Sequence, residues 1–204
     1  KHRLAPSMVF YSGEALQSSG KLDEAAERFE RLIREWPDSQ WADDSSREKM
    51  QIAFRQGGHQ AVDSLAAKFQ QSYPNSPLRN QVEQTWGRSL LKQEKFAEAQ
   101  VVFEGLLERL AAGESPKNTK DDSLRRSSHY LLALAYLGGK RFQQALTSLD
   151  AAPPAAEQQE LAAGASVARA SALIGLGKYA EAIAPLRAYL AAKPDGPDAA
   201  KSRA

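Results

Sequence analysis

Residues 13–37, GEALQSSGKLDEAAERFERLIREWP, decide the fold. Within them Gly13, Gly20, Ala25, Phe29, Leu32 and Pro37 fall at the spacing G-x6-G-x4-A-x3-F-x2-L-x4-P. That order predicts a helix, a tight turn, a second helix with apolar residues three or four apart, and a proline stop. Near the C-terminus Gly177, Ala182, Leu186, Tyr189 and Pro194 repeat the spacing, with Ala170 in the place of the first glycine. Gly87, Leu90, Phe96, Ala99, Phe103 and Leu106 form a third copy, and His129, Leu132, Ala133, Tyr136, Phe142, Ala145 and Leu149 a fourth. A weaker copy holds Ala53, Gly57, Ala61, Phe69 and Pro74, with its turn one residue short. The alanines opening each second helix, Ala25, Ala61, Ala99, Ala145 and Ala182, lie 36, 38, 46 and 37 residues apart, so the 46 marks an insertion.

Close helix packing explains the residue types. Gly13, Gly87, Ala133 and Ala170 let the first helix of a pair (helix A) approach the second (helix B), and Ala25, Ala99, Ala145 and Ala182 let helix B approach the next helix A. Phe29, Phe103, Leu149 and Leu186 fill the space between. A single pair cannot bury its apolar face, so neighbouring pairs must stack.

The pattern resembles the tetratricopeptide repeat (TPR), W-x2-L-G-x2-Y, then A-x3-F, then P. His129-x2-Leu132-Ala133-x2-Tyr136 reproduces its first half, and Ala25-x3-Phe29 and Ala99-x3-Phe103 its second. The resemblance implies an all-α fold, an α-solenoid of about five helix-turn-helix repeats in a right-handed superhelix. On this reading one array fills residues 1–204, with repeats near 7–38, 42–74, 79–110, 126–151 and 156–194. The polar run AAGESPKNTKDDSLRR at 111–126 reads as a surface loop, and AAPP at 151–154 shortens helix B of the fourth repeat so that the next helix begins near Ala155. Pro185 falls inside the last helix B, where it forfeits the bond to Glu181 and is expected to kink the helix.

The junctions WPDSQWA (36–42), YPNSPLR (73–79) and KPDGPDA (193–199) place a proline after helix B, with Asp, Asn or Ser to cap the next helix A. The aromatic-Pro-x-Ser form resembles the TPR proteins of the bacterial envelope, the Tol-Pal coordinator and the outer-membrane assembly lipoproteins among them. It implies a periplasmic or envelope address, with a cytoplasmic one as the alternative. The chain opens on Lys with no charged-then-apolar leader, the pattern of a processed chain or a piece of a longer one.

Composition narrows the function. The 204 residues hold 27 Lys+Arg against 25 Asp+Glu, and that near balance speaks against a nucleic-acid partner, which demands a concentrated basic excess. The longest apolar run, Tyr130 to Leu137, is far short of the roughly 20 residues of a membrane span. With no cysteine and only His2, His59 and His129, none at ligand spacing, no metal site or cofactor is expected. The lysines of Gly138-Gly139-Lys140 and Gly175-Leu176-Gly177-Lys178 precede Arg141 and Tyr179 rather than Ser or Thr, so these are turns and not phosphate loops. No GxSxG or SxxK appears, and no catalytic residue is assigned. Alternating charges over 21–34 read as a solvated helix face, with Glu27 facing Arg31 and Glu30 facing Arg34.

The resemblance implies that helices A line an inner face where partner peptides lie. Placed on the family pattern, that face carries Arg47, Gln51, Phe54, Arg55, Gln84, Arg88, Leu91 and Lys92 from the second and third repeats. The fourth and fifth contribute Tyr130, Leu134, Leu137, Gly138, Val167, Ser171 and Ile174. The expected partner is a protein or peptide with an acidic segment for the first group and an apolar anchor for the second; the competing reading has the Arg and Lys stems covering apolar surface and the leucines meeting neighbouring helices. The Lys and Asn clamp of the family's chaperone-binding members is not matched, because Phe10, Glu14 and Gln51 stand at its positions. The sequence thus points to a non-catalytic interaction scaffold, or alternatively to the substrate-recruiting segment of a larger enzyme or sensor.

Overall fold

The computed structural model describes residues 5–112, 119–155 and 158–192, the side chains of 119–121 excepted. These residues form ten helices and no strand: α1 (Ala5–Ser18), α2 (Leu22–Glu35), α3 (Ala42–Arg55), α4 (His59–Ser72), α5 (Arg79–Lys92), α6 (Phe96–Ala112), α7 (Thr119–Gly138), α8 (Phe142–Ala151), α9 (Gln159–Gly175) and α10 (Tyr179–Ala192). Odd-numbered helices are the helices A of the sequence pattern and even-numbered ones the helices B. The chain comprises two compact units, 1–93 and 94–204.

In the first unit α1 packs on α2, α2 on α3, α3 on α4 and α4 on α5. Phe29 and Leu32 of α2 are buried with Phe10 of α1 and Ala42 and Ile52 of α3. Phe69 and Val62 of α4 are buried with Met50 of α3 and Val82 of α5. The weak copy is out of register by one. Ala61 is exposed, and it is Val62, fully buried, that occupies the place of Ala25 and Ala99. With Val62 the intervals become 37, 37, 46 and 37, so the helices keep their register although the residue type changes.

In the second unit α6 packs on α7, α7 on α8 and α9, and α9 on α10. Its principal core is built of small residues, Ala133, Ala145, Ala168, Ala170, Ala172 and Ala182, with Leu146, Leu149 and Leu173 between them. Leu186 is half-buried, whereas Tyr189 is buried against Ala163. Helix α10 runs on through Pro185 to Ala192.

Four of the five A–B turns close the same way. In four copies the residue at the turn donates its N–H three residues back and its successor donates five back, as in Gly20 to Gln17 (3.1 Å) with Lys21 to Leu16 (2.9 Å), and Lys140 to Leu137 (3.0 Å) with Arg141 to Tyr136 (2.8 Å). This pair of hydrogen bonds satisfies orphan carbonyls at the end of helix A and needs a left-handed residue at the turn. Gly20, Gly57 and Gly177 supply it with φ near +74 to +80°, and Glu94 and Lys140 adopt φ of 59° and 57° at the equivalent places.

The interrepeat junctions differ from the expected caps. Helices α3 and α5 follow Trp41 and Leu78, neither of which caps through its side chain. The serines hold the turn instead: the Ser39 carbonyl accepts from Ala42 N–H (3.0 Å), and Ser76 Oγ accepts from Leu78 N–H (3.1 Å) while donating to Asp43 (2.7 Å). Residues 119–126, expected in the loop, form the first turns of α7; 113–118 of that loop lie outside the described residues. Helix α9 begins at Gln159 rather than near Ala155, because Arg126 binds the Pro153 carbonyl (2.7 Å) and Gln158 Oε1 accepts the Ala155 N–H (3.1 Å), holding 153–155 out of the helix. The 193–199 junction, Pro194 included, also lies outside the described residues.

Candidate functional site

The candidate surface in the first unit is set by helical periodicity. Arg47, Gln51 and Arg55 stand four residues apart on α3, and Gln84, Arg88 and Lys92 four apart on α5, so each trio shares one helix face. The two faces adjoin. Gln51 donates to Thr85 Oγ1 (3.2 Å), and the Arg88 guanidinium lies over the Phe54 ring, 4.9 Å from its centroid. Phe54 is itself held edge-on by His59, with ring centroids 5.7 Å apart, and the Ser89 hydroxyl binds the His59 carbonyl (3.3 Å). The platform under Arg88 is therefore built from three helices, α3, α4 and α5, and oriented before any ligand arrives.

The charge is less uniform than the sequence suggests. Arg47 is half-buried and paired with Glu48 (2.6 Å) and Asp44 (3.4 Å), its neighbours on α3, and Glu48 also accepts from Gln17 of α1 (3.1 Å). A shallow recess between α1 and α3 is lined by Glu14, Gln17, Ser18, Glu48 and Arg55, so acid and base alternate there. Toward α5 the surface turns cationic, with Arg55, Arg88 and Lys92 exposed. Gln84 is half-buried. Asp44 and Glu48 escape a reading that counts cations by slot, although the place of Asp44 three before Arg47 already brings it within reach.

The apolar residues assigned to the face lie in the second unit. Tyr130, Leu134 and Leu137 are half-buried and pack against the core shared by α7, α8, α9 and α10, and the Tyr130 ring lies close against Gly164 of α9. Much of their apolar surface is thus covered by neighbouring helices, which leaves a ligand less of it than the sequence suggests. Ile174 is 46% exposed.

Several other titratable groups have structural partners. His129 is half-buried beside Ser148, with Nδ1 3.3 Å from the hydroxyl; burial first, and then the charge of Arg125, pull its pKa down. Tyr136 donates to Glu104 (2.6 Å), and burial together with that bond pushes its pKa up to about 12. On α2 the expected pairs are exchanged: Arg31 binds Glu35 (3.0 Å), and Glu30 binds Lys49 of α3, whose ammonium lowers the Glu30 pKa. Among the described residues no group of three His, Cys, Asp or Glu could hold a metal ion, and no helix is long and apolar enough to cross a membrane.

Two family models, both described as tetratricopeptide repeat, match the chain, one over residues 85–160 and 130–197 and the other over 8–39. The unmatched stretch contains the out-of-register copy with Val62. No curated protein matches. Among solved structures, MamA from residue 41 to its end, from Desulfovibrio magneticus RS-1, is 14% identical with a TM-score of 0.71, covering 94% of this chain and 97% of that one. A putative kinesin light chain of Podosopora anserina with nearly identical TPR-like repeats is 18% identical with a TM-score of 0.67, covering 95% and 97%. At these identities the likeness is one of fold.

Proposed function

We propose, from the premise that this chain belongs to the tetratricopeptide repeat family, that it is a non-catalytic scaffold whose α3–α5 face binds an acidic segment of a partner protein. One observation carries the reading: Arg88, fixed over Phe54, stands on the same two-helix surface as exposed Arg55 and Lys92. A guanidinium already oriented on a ring loses little freedom on meeting a carboxylate, and the flanking cations speed the encounter. Of the apolar residues the sequence assigns to the face in the second unit, Ile174 on α9 keeps the most exposed surface for an apolar contact. The aromatic-Pro-x-Ser junctions at 36–39 and 73–76 support an envelope complex as the setting.

Affinity capture from envelope and cytosolic extracts, followed by mass spectrometry, tests the reading with wild type and an Arg55→Glu, Arg88→Glu double variant of unchanged helix content. Partners held by wild type and lost by the variant support the α3–α5 face, and the extract that supplies them gives the compartment. An identical set of partners for both proteins refutes it.

A further inference from the structure

Helices α1, α3 and α5 are each 14 residues long and begin 37 residues apart, so residues 37 apart hold the same place on successive helices A. The three adjoin: Gln17 of α1 donates to Glu48 of α3 (3.1 Å), and Gln51 of α3 donates to Thr85 of α5 (3.2 Å). Two rows of equivalent residues therefore cross them side by side. One runs Glu14, Gln51, Arg88, and the other, one helical turn on, runs Ser18, Arg55, Lys92. Both rows reach a cation on α5, and the first starts from an acid on α1. The face thus carries a charge gradient across three helices.

The charged groups of these rows are open to a ligand. Glu14, Arg55, Arg88 and Lys92 are exposed. Glu14 and Arg55 line the same recess between α1 and α3, yet among the described residues neither forms an ion pair. The recess has a volume of about 360 Å³, and its other walls are Gln17, Ser18 and Glu48. Glu48 is already paired with Arg47 (2.6 Å), so Glu14 is the acid there without a cation. Gln17 Oε1 is buried and accepts no hydrogen bond, which adds an acceptor on the α1 side. A carboxylate and a guanidinium that face one recess without meeting fit a ligand with a cation on the α1 side and an anion on the α3 side.

We propose that the partner segment is itself polarised: a lysine or arginine sits in the α1–α3 recess against Glu14, and acidic residues lie over Arg55, Arg88 and Lys92. This rests on the reading that the α3–α5 face takes an acidic segment, and adds the residue that fixes the direction of that segment. Packed helices stand about 8–10 Å apart, so Glu14 and Arg88, two helices apart, are separated by about 16–20 Å. An extended segment rises about 3.3 Å per residue, which puts the basic residue about five or six positions from the acid that meets Arg88. A uniformly acidic segment sets a carboxylate against Glu14, and a reversed one sets a lysine against Arg88. Like charges disfavour both arrangements.

Fluorescence anisotropy of the full chain with labelled synthetic peptides tests this. The probe carries two lysines, a five-residue Gly-Ser spacer and four glutamates, made in both chain directions, and each control has serines for the lysines. In one direction the probe is expected to bind about two- to fivefold more tightly than its control, the effect of one partly exposed ion pair, although the control is the more acidic. Glu14→Gln should abolish that preference, whereas Glu27→Gln, which removes an exposed acid from α2, should leave it intact. Arg88→Gln should weaken probe and control alike. Circular dichroism checks that each variant is folded, and Glu14→Ser replaces Glu14→Gln if that one is not. If the control binds through Arg88 but the lysines add nothing in either direction, or their effect survives the loss of Glu14, the polarity is overturned and the acidic-partner reading stands. If neither peptide shows binding that Arg88→Gln weakens, both fall.

Discussion

The closest test of the packing rule is Gly13. An alanine methyl there would stand 2.7, 2.8 and 3.1 Å from three ring atoms of Phe29, where carbon atoms prefer about 3.5–4.0 Å. Phe29 is fully buried, with Phe10 on one side at a centroid distance of 5.8 Å and Leu32 and Ile52 in the same cluster, so the ring has nowhere to retreat. Overpacking of this kind costs about 1–3 kcal/mol. The substitution also replaces glycine by alanine inside α1, which returns about 1 kcal/mol of helix propensity. Gly13→Ala should therefore destabilise the first unit by about 1 kcal/mol net, from the difference of those two effects. The sign should invert once the ring is removed. In a Phe29→Leu background the clash is gone and the propensity gain survives, so the same substitution should stabilise by up to about 1 kcal/mol. The assay is urea unfolding followed by tryptophan fluorescence, since Trp36, Trp41 and Trp86, the protein's only tryptophans, all lie within residues 1–93 and report that unit. If Gly13→Ala shifts stability equally in both backgrounds, within about 0.5 kcal/mol, the close approach of α1 to Phe29 is not what selects glycine.

Four further outcomes follow from particular contacts. Phe103→Ala, which empties a fully buried place in α6, should cost about 3–5 kcal/mol, read as loss of helix signal in urea. Lys140→Gly relieves a left-handed residue at the α7–α8 turn and should raise the thermal midpoint, with a gain of about 1 kcal/mol at most because glycine also gives the unfolded chain more freedom. Tyr136 titrates at 10.0 when unfolded and near 12 when folded, so its contribution is complete below pH 10 and is lost between pH 10 and about 12; Tyr136→Phe should flatten the alkaline fall in urea midpoint across that window. His129 has its folded pKa lowered from 6.5, so its contribution is present above pH 6.5 and is lost as the pH falls below it; His129→Leu should reduce the acid sensitivity of the helix signal there.

The helix pairs were legible because a 3.6-residue period with small residues at fixed places admits few packings. What escaped the sequence depends on partners far along the chain. Ala61 matches the family alanine by type, yet Val62 is the buried residue, because register is fixed by the turn at Gly57 and Gly58 and not by residue identity. The charged run 119–126 looks like loop in isolation. It is helical with its exposed pair Asp122–Arg125 (2.6 Å), and it is anchored where Gln158 meets Ser123 (3.1 Å) and Arg126 meets Pro153. The charges of the candidate face were visible one by one, but only the pairing of Arg47 with Glu48 and Asp44 shows which cations remain available to a ligand.

The turns carry the same lesson into energetics. Three of the five A–B turns place glycine at the left-handed position, and Glu94 and Lys140 accept that conformation although side chains disfavour it by about 1–3 kcal/mol. Lys140 keeps it because the helices on either side are already fixed by buried residues of the second unit's core, Ala133 before it and Ala145 after it. Packing therefore sets the turn, and glycine only makes it easier. By the same logic the aromatic first residue of helix B and the small last residue of helix A are correlated because one stands on the other, as Phe96 does on Gly138 and Phe142 on Gly175.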